Sequence, residues 1–487
     1  MPVMSYGRAF AWNAEREPER IAVRHDGAAI SYAALDRRAN RLARAFAARD
    51  VGPGTLVTLA LPNSIEFFAA CLATWRLGAT PQPVSSRLPE RERRAIVALA
   101  QPALIVGAPA GEAYAFPSVP LGFEPEADIS DAPLPDVVAR EVRCMTSGGS
   151  TGQPKLIVDL VAATCDPEAV ENGMRAGGTT LVPGPLYHAG PFMTSWQQLL
   201  CGGTVVLMSR FDAEQALALV ERHRVEWVLF VPTMMQRIWR LPPDVRNRYD
   251  LSSLRRVMST GAPSPEWMKR AWIEWIGPEK IFEAYGGTER SGGTMITGTE
   301  WLAHPGSVGK PTAGRKIRVL RSDGGECAPR EVGEVFMMPP GGQGSTYRYI
   351  GAEPIATRDG WETLGDLGYL DDEGFLYLVE RKSDMILVGG ANVYPAEIEA
   401  ALEAHPAVRS SAVIGLPDDD LGNRVHAIVD ATSAVSADEL RAHLKKHLVV
   451  YKIPRSFEFV SEPLRDDAGK VRRSALREAR IAKQTRS

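Results

Sequence analysis

The chain has 487 residues, more than the roughly 100–200 of one typical domain, so at least two domains are expected. With 45% hydrophobic and 24% charged residues and a formal net charge of -3, its composition is that of a soluble globular enzyme and argues against a nucleic-acid partner. Its five cysteines (Cys71, Cys144, Cys165, Cys201, Cys327) are scattered and form no C-x-x-C pair, which excludes an obvious zinc site or disulfide framework and fits a reducing cytoplasm.

The opening residues, MPVMSYGRAFAWNAEREPER, carry no apolar core of signal-peptide length. In ISYAALDRRANRLARAFAARDV, Leu35, Ala39, Leu42 and Phe46 recur at helical spacing with arginines on the other face. TLVTLAL reads as a buried strand ended by Pro62-Asn63, and Ile65 to Leu77 as a second helix closed by Gly78. Its apolar stretch, Phe67 to Trp75, is too short for the ~20 residues of a membrane span. Further on, apolar runs such as GTVVLMS (203–209) and WVLFVP (227–232) alternate with helical segments, an α/β pattern. The texture changes from about residue 360. A strand (GFLYLVE, 374–380) precedes a helix with Pro395 at its first position, Glu397 and Glu399 in its first turn, and Ile398 and Leu402 on its apolar face. Two strands (SSAVIGL and HAIVDAT), the helix ADELRAHLKKHL and a basic tail complete a small α+β unit. The fold class is therefore α/β, with a large N-terminal domain of mixed sheets flanked by helices (1–380), a polar hinge (381–384) and a small mobile α+β C-terminal domain (385–487).

Four segments carry chemistry. The first is Thr146-Ser147-Gly148-Gly149-Ser150-Thr151-Gly152-Gln153-Pro154-Lys155, whose glycines allow tight turns while hydroxyls and a lysine suit a polyphosphate. It is not a Walker A loop, since the lysine follows proline and the G-x-x-x-x-G-K-[ST] spacing is missing. The same residues satisfy G-x-S-x-G, so a serine hydrolase using Ser150 is a rival from another class. Gln153-Pro154, however, opposes the helix that motif needs. The second is Glu283-Ala284-Tyr285-Gly286-Gly287-Thr288-Glu289. Here a tyrosine suits stacking, a threonine a phosphate, and Glu289 is a hard oxygen ligand for Mg²⁺. The third comprises Gly365-Asp366-Leu367-Gly368, Arg381-Lys382-Ser383-Asp384 and Gly389-Gly390-Ala391-Asn392, with Asp366 able to accept from ribose hydroxyls. The fourth is Gly469-Lys470. Each alone also reads as a polar loop, a surface turn or a solvated side chain.

In this order and spacing the four segments resemble the adenylate-forming superfamily, whose members include acyl-CoA synthetases, peptide synthetase adenylation domains and firefly luciferase. ISYAAL and LATWRLGATPQPVSSRLP (72–89) look like its early motifs, and RKSDMILVGGANVYPAEIE matches its hinge motif almost throughout. The resemblance implies ATP and Mg²⁺ as cofactors, with Thr146 to Gly152 and Lys155 on the β- and γ-phosphates. Gly261, Ala262 and Pro263 would frame the adenine with Glu283, Ala284, Tyr285 and Gly286. Thr288 would touch the α-phosphate, Glu289 would bind the metal, and Asp366 and Arg381 would hold the ribose. Asp384 would be the hinge residue. Lys470 would bridge the substrate carboxylate and the α-phosphate.

Leu186-Tyr187-His188-Ala189-Gly190-Pro191-Phe192 resembles the family segment beside the acyl pocket, where His188 would gate the acceptor or simply pack. The pocket is expected to include Phe192, Met193, Val231, Thr233, Met235, Gly286, Gly287, Gly292 and Gly293, and the missing glycine side chains to leave room for a bulky, flat acid, aromatic or polycyclic. The loop and LYHAGPF most resemble bile-acid and steroid-acid CoA ligases and amide bond synthetases. The expected acceptor is therefore CoA, with an amine as the alternative. Arg472, Arg473 and Arg477 are candidates for the CoA phosphates or a solvated helix face. A monomer or homodimer is expected.

Overall fold

The computed structural model describes residues 3–109, 111–112, 114–148, 154–169, 172–312, 314–388, 391–418, 420–465 and 469–484. The helix Tyr32–Ala47 begins where Ser31 Oγ accepts the Ala34 N–H, and Ile65–Arg76 begins where Ser64 Oγ accepts the Phe67 N–H at 3.2 Å. Each such cap stabilises by about 1 kcal/mol. Tyr32–Ala47 buries Leu35, Ala39, Leu42 and Phe46, while Arg41 and Arg44 reach carbonyls of Pro125 and Ala132. Ile65–Arg76 is apolar nearly all round and buried on every side. Phe68 and Trp75 pack edge-on against Trp196, and Phe67 against Phe192, in a core where each large side chain contributes about 1.5–3 kcal/mol. Arg76, buried in the last turn, is neutralised by Asp36.

Among the described residues the main sheet has thirteen strands. Ile21–His25, Thr204–Leu207, Thr179–Val182, Trp227–Phe230, Arg256–Ser259 and Ile281–Gly286 are parallel neighbours in that order. From Ile281–Gly286 the direction reverses, and Gly293–Thr297, Ser307–Pro311 and Leu376–Arg381 continue the sheet antiparallel. A separate parallel sheet holds Leu56–Leu59 between Thr80–Pro83 and Leu104–Ala108. A third sheet places Pro154–Asp159 antiparallel between Arg143–Gly148 and Tyr347–Ile350.

Residues 382–385 turn between Leu376–Arg381 and the hairpin Ile386–Val388 and Ala391–Val393. The small domain then wraps the helices Pro395–Glu403, Ala437–Leu444 and Arg473–Gln484 round the strands Val408–Asp418, Gly422–Ala431 and Ser456–Val460. Val393, Ile398, Leu402, Val413, Ala427 and Leu440 give it its own core.

Two expectations change here. Glu397 does lie in the first turn of its helix, but Glu399 does not. It is buried at 4% exposure, accepts from Arg473 and the Val413 N–H, and lies in ion-pair range of Arg465. Arg473 is not part of a solvated face either: it pairs with Asp384 and Glu399, because the apolar face of its helix seats on Val408–Asp418. Arg472 and Arg477 stay exposed, Arg477 donating to the Gly415 carbonyl.

Candidate functional site

A cleft of about 2900 Å³, lined by both domains, lies beside the C-terminal end of Ile281–Gly286, the strand at which the sheet passes from parallel to antiparallel pairing. Its phosphate side is the hairpin of Arg143–Gly148 and Pro154–Asp159, which pairs Ser147 with Lys155 and Gly148 with Pro154. Gly149, Ser150, Thr151 and Gly152 lie outside the described residues. The chain beyond them runs as a strand, so the strand–turn–helix geometry of a hydrolase elbow is not formed, and the Ser150 hydrolase reading is set aside. Thr146 lines the cleft with a buried hydroxyl that has no hydrogen-bond partner among the described residues. Lys155 lies 4.0 Å over the ring of Tyr349 and 3.5 Å from Glu289. Glu289, 7% exposed, also accepts the Tyr349 O–H at 2.7 Å.

Behind this hairpin is a feature the motifs gave no sign of. Arg143 and Asp159 face each other across the two strands, both buried, and Arg290 donates to the same Asp159 oxygen at 3.1 Å. Arg143 also donates to the carbonyl of Ala189, tying the hairpin to the residue after His188. Burial pushes the Arg143 guanidinium below its ordinary value, as two arginines sharing one carboxylate would predict.

On the nucleoside side, Tyr285 donates to Asp366 at 2.7 Å and Arg381 to the other Asp366 oxygen at 3.2 Å. Burial first, then the Asp366 charge, push the Tyr285 phenol well above its ordinary value, so it stays a donor. Gly261, Ala262, Pro263, Ala284, Gly286 and Thr288 line the same wall, and Gly261 holds a φ of +89° that favours glycine. Glu283 lines it too, but its carboxylate is committed to a buried pair with Lys269.

On the acyl side the structure brings only part of the expected set to the cleft. His188, at the start of the helix Ala189–Leu200, lines the cleft with Met193, Val231 and Thr233. Phe192, one helical step from Met193, is instead fully buried against Phe67 and Trp75, and Met235 is core beneath Pro232–Trp239. The glycines leave no void. A Cβ on Gly287 would stand 2.6 Å from Glu289 Oε2 and 2.7 Å from Leu364, and one on Gly292 would strike Met337. Gly293 would meet the Tyr285 carbonyl and Gly286 that of Gly292. Gly286 and Gly293 let adjoining strands approach closely, Gly287 and Gly292 make room for neighbouring side chains, and of the four only Gly286 and Gly287 line the cleft.

Lys470 lines the cleft from the small domain. The preceding Gly469, at a φ of +76°, rests so closely on Thr233 that a Cβ would come within 2.6 Å of its hydroxyl. Arg240 of the large domain donates to the Glu403, Val408 and Arg409 carbonyls of the small one. Asp384 accepts from Arg473 at 2.7 Å.

These residues suit ATP and magnesium. The orphan Thr146 hydroxyl needs a partner that a phosphate oxygen would supply. No cluster of three or more metal-ligating side chains occurs among the described residues, which suits an ion held by one carboxylate plus substrate phosphates, as Mg²⁺ commonly is.

A two-domain protein with a cleft lined by both domains, among its residues a lysine of the smaller one, has the design of an adenylate-forming enzyme. Residues 10–345 match the AMP-binding enzyme family and residues 397–470 the AMP-binding enzyme C-terminal domain, so the chain belongs to this family. It is 34% identical to a feruloyl-CoA synthase of Amycolatopsis sp., over 95% of this chain and 96% of that protein. Among solved structures it resembles O-succinylbenzoate coenzyme A synthetase from Bacillus subtilis in complex with ATP and magnesium ion (TM-score 0.82, 27% identity, 98% of this chain and 100% of that one). It also resembles the amide bond synthetase McbA from Marinactinospora thermotolerans (TM-score 0.79, 26% identity, 97% and 99%). No helix among the described residues is long and apolar enough to cross a membrane.

Proposed function

We propose that the protein activates an aromatic or polycyclic carboxylic acid with ATP and transfers the acyl group to CoA. The observation that carries this reading is the convergence of Thr146, Lys155, Thr288, Glu289, Asp366 and Lys470, from both domains, on one cleft. The substrate carboxylate attacks the α-phosphorus of ATP and pyrophosphate leaves; the acceptor thiol, giving up its proton, then attacks the acyl carbonyl of the acyl-AMP, forming the thioester as AMP leaves. Lys155 and Thr146 hold the outer phosphates, Asp366 and Arg381 the ribose, and Tyr285 lies along the adenine. The Lys470 ammonium stands where charge builds between carboxylate and phosphate, so it stabilises the transition state more than the separated reactants. Magnesium, when bound at Glu289, neutralises phosphate charge. Asp384, in the turn between the two domains, is the hinge about which residues 385–487 reorient for the second step. The similarity to a feruloyl-CoA synthase supports an aromatic acid. The scattered free cysteines support a reducing, cytoplasmic site of action.

Transfer to an amine is the second reading. It is favoured by the similarity to an amide bond synthetase and by the commitment of Arg473 to Asp384 and Glu399, which removes one of three candidate CoA-phosphate ligands. Mass spectrometry of reactions with ATP, Mg²⁺ and a panel of aryl and steroid acids, run with CoA alone and with amines alone, separates the readings. Acyl-CoA supports the first and amides with CoA ignored the second, while no acyl-AMP from any acid refutes both.

A further inference from the structure

We propose that Tyr349 is a positioning residue for adenylation, holding Glu289 through its O–H and Lys155 through the face of its ring. The inference rests on Glu289 as the magnesium ligand and Lys155 as a phosphate ligand. Tyr349 lies on Tyr347–Ile350, far from either residue in sequence, and reaches them because that strand pairs with Pro154–Asp159. The register sets Tyr349 opposite Ile157, which puts Lys155, two residues along on the same face, on the diagonal. A diagonal neighbour is within reach of a tyrosine ring. The Lys155 ammonium accordingly sits 4.0 Å from the ring centroid, over the electron-rich face.

The phenol's other end donates to Glu289 Oε1 at 2.7 Å, and from the same strand's approach Thr346 Oγ1 donates to the Glu289 carbonyl at 3.0 Å. Glu289 is thus gripped at both its backbone and its carboxylate. A carboxylate fixed by one hydrogen bond on one oxygen keeps the other in a set direction. Gly287, with no side chain to crowd Oε2, leaves that oxygen its room. Such partners of a metal-binding group typically govern metal affinity by about 10- to 100-fold. Tyr349 also spaces the two opposite charges, keeping Lys155 at 3.5 Å from Glu289.

The test is calorimetric titration of ATP into the full chain, with Mg²⁺ and separately with EDTA, and needs no acid substrate. The unmodified protein is expected to bind ATP more tightly with Mg²⁺. In Tyr349→Phe, which keeps the ring, ATP affinity in EDTA should be unchanged while the gain from Mg²⁺ falls about 10- to 100-fold. Tyr349→Leu should in addition weaken binding in EDTA, because Lys155 loses its platform. Thr346→Val, which loosens Glu289 without touching the ring, should repeat the Phe pattern in milder form. A full Mg²⁺ gain in Tyr349→Phe, no gain in the unmodified protein, or equal losses with and without Mg²⁺ accompanied by a lowered unfolding temperature would each overturn the proposal. Failure to form acyl-AMP from any acid bears on the proposed function alone.

Discussion

Arg240 offers the sharpest handle on domain closure. It reaches out of the large domain with hydrogen bonds of 2.7, 3.0 and 2.6 Å to the Arg409, Glu403 and Val408 carbonyls. The Glu403 carbonyl ends the helix Pro395–Glu403, so the guanidinium also meets the negative end of that helix dipole. Three bonds from a charged donor, partly wet and not additive, stabilise the docked lid by about 2 kcal/mol, a factor of about 30 in its population. Arg240→Ala is therefore expected to slow acyl-AMP formation by up to about 30-fold, as the fraction of docked molecules falls. Pyrophosphate exchange measures that step. Conversion of chemically prepared acyl-AMP with CoA or an amine measures the other, and is expected to hold steady or rise. Equal loss in both assays, or no loss in exchange, would refute the idea that this contact belongs to one arrangement of the lid.

Gly287→Ala should abolish adenylation of small and large acids alike, since its Cβ would press on Glu289 Oε2; loss confined to large acids would restore the open-pocket view. Lys470→Ala should reduce acyl-AMP formation by about 10²–10³-fold without lowering the unfolding temperature, because the exposed side chain adds nothing to the core. Near-normal exchange would remove it from the mechanism. His426, facing Ser456, Glu458, Arg480 and Arg424, and His443, facing Ala401, His405, His447 and Lys446, are both held below 6.5, by burial first. The unfolded chain then binds more protons, so stability is present above 6.5 and is lost as pH falls towards their depressed folded values. The drop in unfolding temperature between about pH 7.5 and about pH 5.5 should shrink in a His426→Gln/His443→Gln variant; an unchanged drop would assign acid sensitivity elsewhere.

Lys155, the Tyr285–Glu289 run, Asp366 and Arg381 could be picked out of the sequence because their segments are short, local and ordered, and the structure brings them to one cleft. Their side chains meet because Lys155 lies on the hairpin beside the main sheet, Tyr285 and Arg381 near the ends of their strands, and Asp366 within Glu362–Leu370 opposite Arg381. The acyl side was less legible for a physical reason. Ala189–Leu200 is apolar on more than one face, so sequence could not say that Met193 faces the cleft and Phe192 the core. Glycine runs are equally ambiguous, reading as empty space or as close strand contact, and Met337 and the Tyr285 carbonyl decide for contact. Tyr349 and the Arg143–Asp159–Arg290 cluster depend on strand pairing between distant segments, which no single stretch of sequence encodes. Glu399 shows the same limit, since helix position alone suggested a dipole role and the folded neighbours made it an ion-pair partner.

The internal charge pairing of the small domain bears on how it could be transplanted. Its buried acids Glu399 and Glu403 are balanced by its own Arg465 and Arg473, and Arg473 depends in turn on Asp384 at the domain's threshold. A hybrid enzyme joined just after Asp384 would take that aspartate from the host, and any host with a neutral residue there would leave Arg473 short of an anion. One joined before Arg381 would carry Arg473 and Asp384 across together, but would separate Arg381 from Asp366, its ion-pair partner in the host. The workable seam is thus confined to the step between Arg381 and Asp384, so the exchangeable cassette is defined by its ion pairs more narrowly than by its fold.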